Sequence, residues 1–160
     1  MGTADFNRLY RHAVLIGIGI VGDINEEGQR GDAQTFLAQL HHTSNEQGGS
    51  LMRRVWLIRK GDYGPPSSGV RIGRDADNDL VIPDYSISKV HCEFQRFAGH
   101  MTVTDLGSHN GTIIGEKHLS SYKPQRIYNE DEIVLGRYKF EFLDAATFVQ
   151  RVQVAADSPW

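Results

Sequence analysis

The chain has 160 residues and a formal net charge of −3, with 39% hydrophobic and 23% charged residues. This length and balance predict one folded domain of ordinary size and exclude a wholly disordered chain. The slightly acidic charge argues against general nucleic-acid binding. A single cysteine excludes an internal disulfide framework and is typical of a reducing compartment.

The first strand-like segment is an apolar run that contains GIGIVG at residues 17–22. This stretch matches G-x-G-x-x-G, the fingerprint of dinucleotide-binding folds. The fingerprint must open a helix within a βαβ unit, but residues 23–32, DINEEGQRGD, have no apolar helical face. We therefore interpret the glycines as interrupting a β-strand, where glycine often marks a bulge, and expect no cofactor. A nucleotide-binding enzyme subunit stays open as a minor alternative.

The same run follows two arginines, as the hydrophobic part of a secretory signal does. No small-residue cleavage site comes after it, because the chain continues with the polar residues 23–26. Its ten residues, 13–22, also fall short of the roughly 18 apolar residues that a membrane helix needs. We expect a cytoplasmic protein with no membrane partner.

A second strand-like run, TFLAQLH, covers residues 35–41. Two short strands cannot enclose a core of their own, so we predict that residues 1–50 form a β-hairpin extension packed on the main domain. Thr43 lies in the polar loop that follows. A self-phosphorylation site at Thr43 is an alternative hypothesis to a purely structural extension.

From residue 51 to 145 the pattern is all-β. Short apolar runs recur about every 8–12 residues, with Gly, Asn, Asp or Pro between them, and this spacing is typical of a sandwich or barrel. Only the stretch after Asp144 has helical spacing, with Phe148 and Val152 four residues apart and Asp144 as a candidate N-cap. We predict a short helix and tail over residues 146–160.

Three predicted loops carry an unusual set of hydrogen-bond donors. Gly73-Arg74 ends a short strand, Ser88-Lys89 lies in a second loop, and residues 108–111, SHNG, form a tight third loop. Loops at one end of a sandwich can converge on a single point. A guanidinium, an ammonium, a hydroxyl, an amide and backbone N–H groups together suit a phosphate, which offers acceptor oxygens and negative charge.

This pattern, GR…S-x-x-H…DLGS-x-NGT, resembles the forkhead-associated (FHA) domain, a family of phosphothreonine-peptide readers. The resemblance extends over residues 53–143. The residues that carry it are, in chain order, Gly73, Arg74, Ser88, His91, Asn110, Gly111 and Thr112. It implies an eleven-stranded β-sandwich that holds a phosphothreonine peptide in the loops at one end.

The resemblance also implies roles for individual residues. Arg74 would pair with the phosphate, Ser88 would donate its hydroxyl to a phosphate oxygen, and Lys89 would assist. Asn110 would bind the main chain of the peptide, and His109 would face the residues beside the phosphothreonine. His109 stands where the family often has threonine. Four residues would shape the loops without touching the ligand: Gly73, His91, Gly111 and Thr112.

Other chemistry has no support in the sequence. Residues 75–79, DADND, begin like a calcium loop, but Leu80 stands where glycine is needed. The seven histidines lack zinc-ligand spacing, so we expect no metal. Cys92 alternates with Phe94 and is interpreted as a core residue.

The sequence therefore predicts a non-enzymatic phosphothreonine-binding module, an adaptor in Ser/Thr kinase signalling. Its expected partner is a phosphothreonine-containing protein or peptide, with a Ser/Thr kinase as a candidate, and not nucleic acid. The alternative is a structural or assembly protein that uses the same sandwich without phosphate.

Overall fold

Two antiparallel-rich sheets organise the described part of the chain. A computed structural model describes residues 11–21, 23–24, 30–31, 54–62 and 64–158. The first sheet contains six strands: β1 (Val14–Ile20), β4 (Val55–Leu57), β9 (Thr112–Ile114), β10 (Lys117–His118), β12 (Glu132–Leu135) and β13 (Tyr138–Leu143). The second contains five: β5 (Val70–Gly73), β6 (Leu80–Val81), β7 (Cys92–Phe97), β8 (His100–Asp105) and β11 (Gln125–Ile127). A separate two-stranded pair is formed by β2 (Asp23–Ile24) and β3 (Arg30–Gly31).

The spatial order of the strands is β10-β9-β12-β13-β1-β4 in one sheet and β11-β8-β7-β5-β6 in the other. Within the described residues these two sheets hold eleven strands, which confirms the predicted sandwich. Among the described strands of these sheets, β5 and β6 alone pair in parallel; the other pairs are antiparallel.

Strand β1 lies inside the six-stranded sheet. It pairs with β13 on one side and with β4 on the other. The register against β13 shifts between Gly17 and Gly19, so the glycines accompany a bulge. The prediction of a glycine-bearing strand at GIGIVG is confirmed. The second predicted strand, residues 35–41, and Thr43 lie outside the described residues, and the division of the chain at residue 50 stays a prediction.

The core fills the space between the two sheets. Alternate residues of β7 and β13 point inward, including Cys92, Phe94, Phe140 and Phe142, all of which are buried. The Phe94 and Phe142 rings stack across the core with centroids 6.3 Å apart. Trp56 of β4 meets Phe140 edge to face at 5.4 Å. The interpretation of Cys92 as a core residue is confirmed, and burial raises the pKa of its thiol well above the usual value.

A helix, α1 (Ala145–Asp157), follows β13. Its N-cap is Asp144, whose carboxylate accepts a hydrogen bond from the Thr147 N–H at 2.8 Å, as predicted. The helix buries none of its residues, and Arg151 attaches it to the sandwich through Glu130 and Glu141. In the described part of the chain no helix has both the length and the apolar character to cross a bilayer.

The strand directions give the sandwich two distinct ends. Strand β5 ends at Gly73, β7 begins at Cys92, β8 ends at Asp105 and β9 begins at Thr112. The loops that connect these points meet at one end, which we call the loop end. Strand β5 begins, and the β7–β8 hairpin turns, at the other end, which we call the basal end.

Candidate functional site

Three loops form the loop end. The Arg74 loop (residues 74–79) follows β5, the Ser88 loop (residues 82–91) precedes β7, and the Asn110 loop (residues 106–111) joins β8 to β9. They contain all the predicted ligand-contacting residues.

The Arg74 loop is attached to the Ser88 loop through the backbone. The Arg74 N–H donates to the Ser88 carbonyl at 2.9 Å, and the Asp75 N–H donates to the Lys89 carbonyl at 3.2 Å. This approach requires a glycine before Arg74, because a Cβ on Gly73 would lie 2.2 Å from the Lys89 carbonyl oxygen. Gly73 thus brings the guanidinium-bearing residue beside the serine-bearing loop.

Asn78 reinforces the same junction and was missed at the sequence level. Its amide nitrogen donates to the Asp75 carbonyl at 2.8 Å and to the Lys89 carbonyl at 2.7 Å, and the residue is only 3% exposed. Asn78 closes a turn within the DADND segment, and the Asp- and Asn-rich composition of that segment favours such a turn.

His91 links the Ser88 loop to the Asn110 loop. Its Nδ1 accepts from the Ser88 N–H at 3.1 Å, and its Nε2 lies 3.0 Å from the Gly111 carbonyl oxygen. Because Nδ1 faces a donor, the proton belongs on Nε2, which then donates to Gly111. Burial lowers the pKa of His91, although the Gly111 carbonyl and Asp105 act in the opposite direction. The ring is neutral, and its two nitrogens hydrogen-bond one loop each, which holds the two loops together.

The side chains of Ser88 and Asn110 also contact neighbouring loops. Ser88 Oγ accepts from the His109 N–H at 2.9 Å. The Asn110 Nδ2 donates to the Ser86 carbonyl at 3.0 Å. The two side chains are therefore brought together and oriented by backbone groups of adjacent loops.

Asp105 organises the base of the Asn110 loop. One carboxylate oxygen accepts from the backbone N–H groups of Gly107 and Ser108 at 2.9 and 3.0 Å, and the other from the hydroxyls of Ser108 and Thr112. Burial by itself would raise the pKa of Asp105, but the hydrogen bonds from Ser108 and Thr112 lower it below the usual value. Thr112, predicted to shape the loop, is fully buried against this carboxylate.

Arg74, Lys89 and His109 expose their side chains at the loop end, and Ser88 and Asn110 are half-buried beside them. Among the described residues, the Arg74 guanidinium has no hydrogen-bond or ion-pair partner. The arrangement presents a cation, a hydroxyl and an amide side by side, which can hold an anion with several acceptor oxygens.

Residues 70–136 match the family model of the FHA domain. The chain contains an FHA domain. A curated relative, an oxoglutarate dehydrogenase inhibitor of Corynebacterium jeikeium, is 34% identical over 74 residues, which cover 46% of this chain and 49% of the relative. The glycogen accumulation regulator GarA of Mycolicibacterium smegmatis is 34% identical over 71 residues, 44% of this chain and 43% of GarA. The chain thus spans about half the length of the curated relatives it matches.

A solved structure resembles the chain over a longer stretch. The FHA domain of the CT664 protein from Chlamydia trachomatis superposes with a TM-score of 0.53, covering 83% of this chain and 97% of that one. At 16% sequence identity this similarity concerns the fold. It agrees with the FHA-type sandwich described above.

A buried polar network supports the FHA loops from below. Asp84 accepts from Ser86 through one oxygen, and from Arg137 Nη2 and the Tyr138 hydroxyl through the other, at 2.7 and 3.0 Å. The Arg137 N–H donates to Ser86 Oγ at 3.1 Å. Ser86 is the residue whose carbonyl holds Asn110, so the network extends to the site.

The protonation states of this network follow from burial and pairing. Burial disfavours the charge on Arg137, but the hydrogen bond to Asp84 keeps its pKa above the usual value. Burial, with Asp84 beside it, raises the pKa of Tyr138 to about 12, so its hydroxyl stays a donor. The signal available in the sequence was a lone arginine after the apolar run of β12, since a charge in such a position needs a buried partner.

Asp79, the last residue of the DADND segment, has a structural role. Asp79 accepts from Lys60 Nζ and the Arg71 N–H, both at 2.8 Å, and from the Gly61 N–H at 2.9 Å. Among the described residues, no group of three or more His, Cys, Asp or Glu side chains has the arrangement of a metal site.

Proposed function

We propose that the FHA domain of this chain binds a phosphothreonine-containing segment of a partner protein at the loop end, as a non-enzymatic adaptor in Ser/Thr kinase signalling. The observation that carries the proposal is the convergence of Arg74, Ser88 and Asn110, which come from three separate loops joined by backbone and side-chain hydrogen bonds. A site fixed in this way loses little entropy on binding.

Arg74 would supply the main attraction for the phosphate. Its side chain is exposed, and no described carboxylate neutralises it. A guanidinium can donate two parallel hydrogen bonds to phosphate oxygens, which combines charge with orientation. Lys89, exposed on the adjacent loop, would add a second positive charge without that geometry.

Ser88 would donate its hydroxyl proton to the phosphate. Because Ser88 Oγ already accepts from the His109 N–H, the oxygen is held in place and its own proton is available for another acceptor. His109, exposed next to this bond, would face the residues that flank the phosphothreonine.

Asn110 would hold the main chain of an extended peptide. One of its two amide N–H bonds goes to the Ser86 carbonyl, which orients the carboxamide. The remaining N–H and the carboxamide oxygen form a donor and acceptor pair that matches a peptide group.

The names of curated relatives support a regulatory role, in addition to the geometry of the loop end. The two curated relatives are named for inhibiting oxoglutarate dehydrogenase and for regulating glycogen accumulation. These names favour an adaptor that alters the activity of a bound protein over a purely architectural use of the sandwich.

The test is a titration of an oriented phosphothreonine peptide library, with matched phosphoserine and unphosphorylated pools, against the wild type and Arg74→Ala. We expect micromolar affinity for phosphothreonine, about −8 kcal/mol. A weaker response to phosphoserine is expected, since one buried methyl contributes about 1 kcal/mol. Arg74→Ala should weaken binding about 100-fold, because two charge-assisted hydrogen bonds are lost.

Arg126→Ala is the matched control, since Arg126 is an exposed arginine of β11 stacked on Tyr128 and remote from the loop end. It should leave the affinity unchanged. Equal binding of phosphorylated and unphosphorylated pools by the wild type would contradict the proposal and favour a phosphate-independent assembly protein.

A further inference from the structure

The basal end of the sandwich contains a cleft that the proposed function does not use. Its volume is about 450 Å³, within the range of small-molecule sites. It opens between the start of β1, the segment after β4 and the β7–β8 hairpin. We call it the basal cleft.

The basal cleft is separate from the loop end. Strand β7 begins at Cys92, next to the Ser88 loop, and reaches the cleft at Arg96. Four residue steps along a strand correspond to about 13 Å. A small ligand in the cleft therefore could not touch Arg74 or Ser88.

The basal cleft is lined by positively charged side chains that no acidic side chain among its described lining residues neutralises. Arg11, Arg59 and Arg96 line it, and none of the described lining residues is an aspartate or glutamate. In the described part of the chain these three guanidinium groups form no ion pair. Lys60 also lines the cleft, but its charge is paired with Asp79 at 2.8 Å.

Arg96 occupies a position that favours an apolar side chain. It pairs with Met101 across the β7–β8 ladder and lies on the same face as Phe94, which is buried in the core. Arg96 itself is exposed, so its guanidinium lies at the solvent-facing mouth of the cleft. Like charges gathered at one cleft repel one another unless an anion offsets them.

The pKa of His12 is affected by all three arginines. Burial lowers the pKa of His12, and Arg59, Arg11 and Arg96 lower it further. All three guanidinium groups therefore lie within electrostatic range of one imidazole that lines the same cleft.

The cleft also has an apolar floor. Ile58 and Phe94 are buried beneath it, and Met101 and Val70 line its wall. A fully hydrated inorganic ion would leave this surface unused, whereas an anion with an apolar body would cover it.

We propose that the basal cleft binds a small organic phosphate, whose phosphate group lies among Arg11, Arg59 and Arg96 and whose apolar body covers the floor. A phosphate dianion matches several guanidinium groups better than a single carboxylate does, because it carries more charge and more acceptor oxygens. The chain would then bind a phosphorylated metabolite at one end and a phosphorylated peptide at the other.

The test uses phenyl phosphate, inorganic phosphate and benzoate as probes, followed through the backbone amide signals of the isotopically labelled full chain. The protein carries Arg74→Ala, so that binding of phosphate at the loop end is strongly weakened. We expect phenyl phosphate to shift the amides of Gly69 and Met101, which line the cleft, and not those of Ser88 and His109. Inorganic phosphate and benzoate should bind more weakly.

Arg59→Gln with Arg96→Gln is the decisive variant, since glutamine keeps part of each side-chain stem but removes the charge. We expect phenyl phosphate to bind at least about tenfold more weakly. Arg126→Gln removes an arginine from the same end but outside the cleft, and should change the affinity by less than about twofold.

When Arg74 is intact, the double variant should bind the phosphothreonine peptide with the affinity of the wild type. A failure of the basal-cleft proposal can therefore be distinguished from a failure of the function proposed for the loop end. Its melting temperature should stay the same or rise, because repulsion among cations is relieved. A lower melting temperature would identify the arginines as structural. Three outcomes would overturn the proposal. They are a lower melting temperature of the double variant, an equal loss of phenyl phosphate affinity in the double variant and in Arg126→Gln, and binding of benzoate as tight as that of phenyl phosphate.

Discussion

At the scale of single residues, the site depends on side chains that do not face the ligand. Asp84 accepts four hydrogen bonds, two from Ser86, one from Arg137 and one from Tyr138. A buried ion pair of this kind contributes little compared with an apolar pair, but removing one partner leaves a buried charge without compensation. The pair therefore orients Ser86, and through it Asn110, more than it stabilises the fold.

Asp84→Ala should lower the free energy of unfolding by about 3–5 kcal/mol, because Arg137 would remain buried and unpaired. The double variant Asp84→Leu with Arg137→Met should lose much less. Urea denaturation of both variants and the wild type measures the difference. Equal losses in the single and double variants would show that uncompensated charge is not the cause.

At the scale of elements, the end of β5 is the point where backbone geometry determines the site. Gly73 pairs with β6 and lies against the Lys89 backbone, so the Arg74 and Ser88 loops share one hydrogen-bonded junction. A side chain here cannot be accommodated by a rotamer change alone, because the nearest atom it would meet, the Lys89 carbonyl oxygen at 2.2 Å, belongs to the main chain.

Gly73→Ala should therefore displace the Ser88 loop. We expect a loss of about 1–3 kcal/mol in the free energy of unfolding, together with weaker phosphothreonine-peptide binding. Gly19→Ala is the control, since a Cβ there would meet nothing within 4 Å. Calorimetric unfolding and peptide titration of both variants provide the comparison; an unaffected Gly73→Ala would contradict the close approach.

Strand β1 makes a segment outside the matched FHA residues part of the core. Val14 and Leu15 are fully buried, and β1 pairs with strands on both of its sides. A strand in this position cannot be removed without exposing two neighbouring edges.

Leu15→Ala should cost about 2–5 kcal/mol, as a truncation in any well-packed core does. Ile18→Ala on the same strand, where the side chain is 37% exposed, should cost less than about 1 kcal/mol. Equal and small costs, measured by denaturant unfolding, would show that β1 is a dispensable addition.

At the scale of the whole molecule, stability and pH are linked through His91. The folded ring is neutral and has a pKa below its usual value of 6.5. In the unfolded chain the imidazole takes up a proton more readily, so acid favours unfolding. The contribution of His91 is complete above about pH 6.5 and is lost as the pH falls toward the folded pKa.

The wild type should lose stability between pH 7 and pH 5, by up to about 1.4 kcal/mol per pH unit from this group. His91→Gln should be less stable at pH 7 but less dependent on pH over the same interval. Asp105, whose folded pKa lies below its usual 3.8, adds a second loss only below about pH 4. Denaturant unfolding at several pH values tests this; parallel pH profiles for wild type and variant would contradict a buried neutral His91.

The sequence alone determined the features that depend on local chemistry. Alternating apolar residues and regularly spaced turn residues predicted the sandwich, Asp144 predicted the start of the helix, and the glycines of GIGIVG predicted an interrupted strand. The three donor-bearing loops were recognisable because each of their residues lies within a short motif. These signals are local because strand periodicity and turn geometry act over a few neighbouring residues.

Only the tertiary structure decided which distant residues meet. Asp84 and Arg137 are 53 residues apart in the chain and form one buried pair. The insertion of β1 between β13 and β4, and the gathering of Arg11, Arg59 and Arg96 around one cleft, likewise depend on strand order. The sequence of a strand does not specify which strands it will pair with, because the pairing is determined by the packing of the whole core.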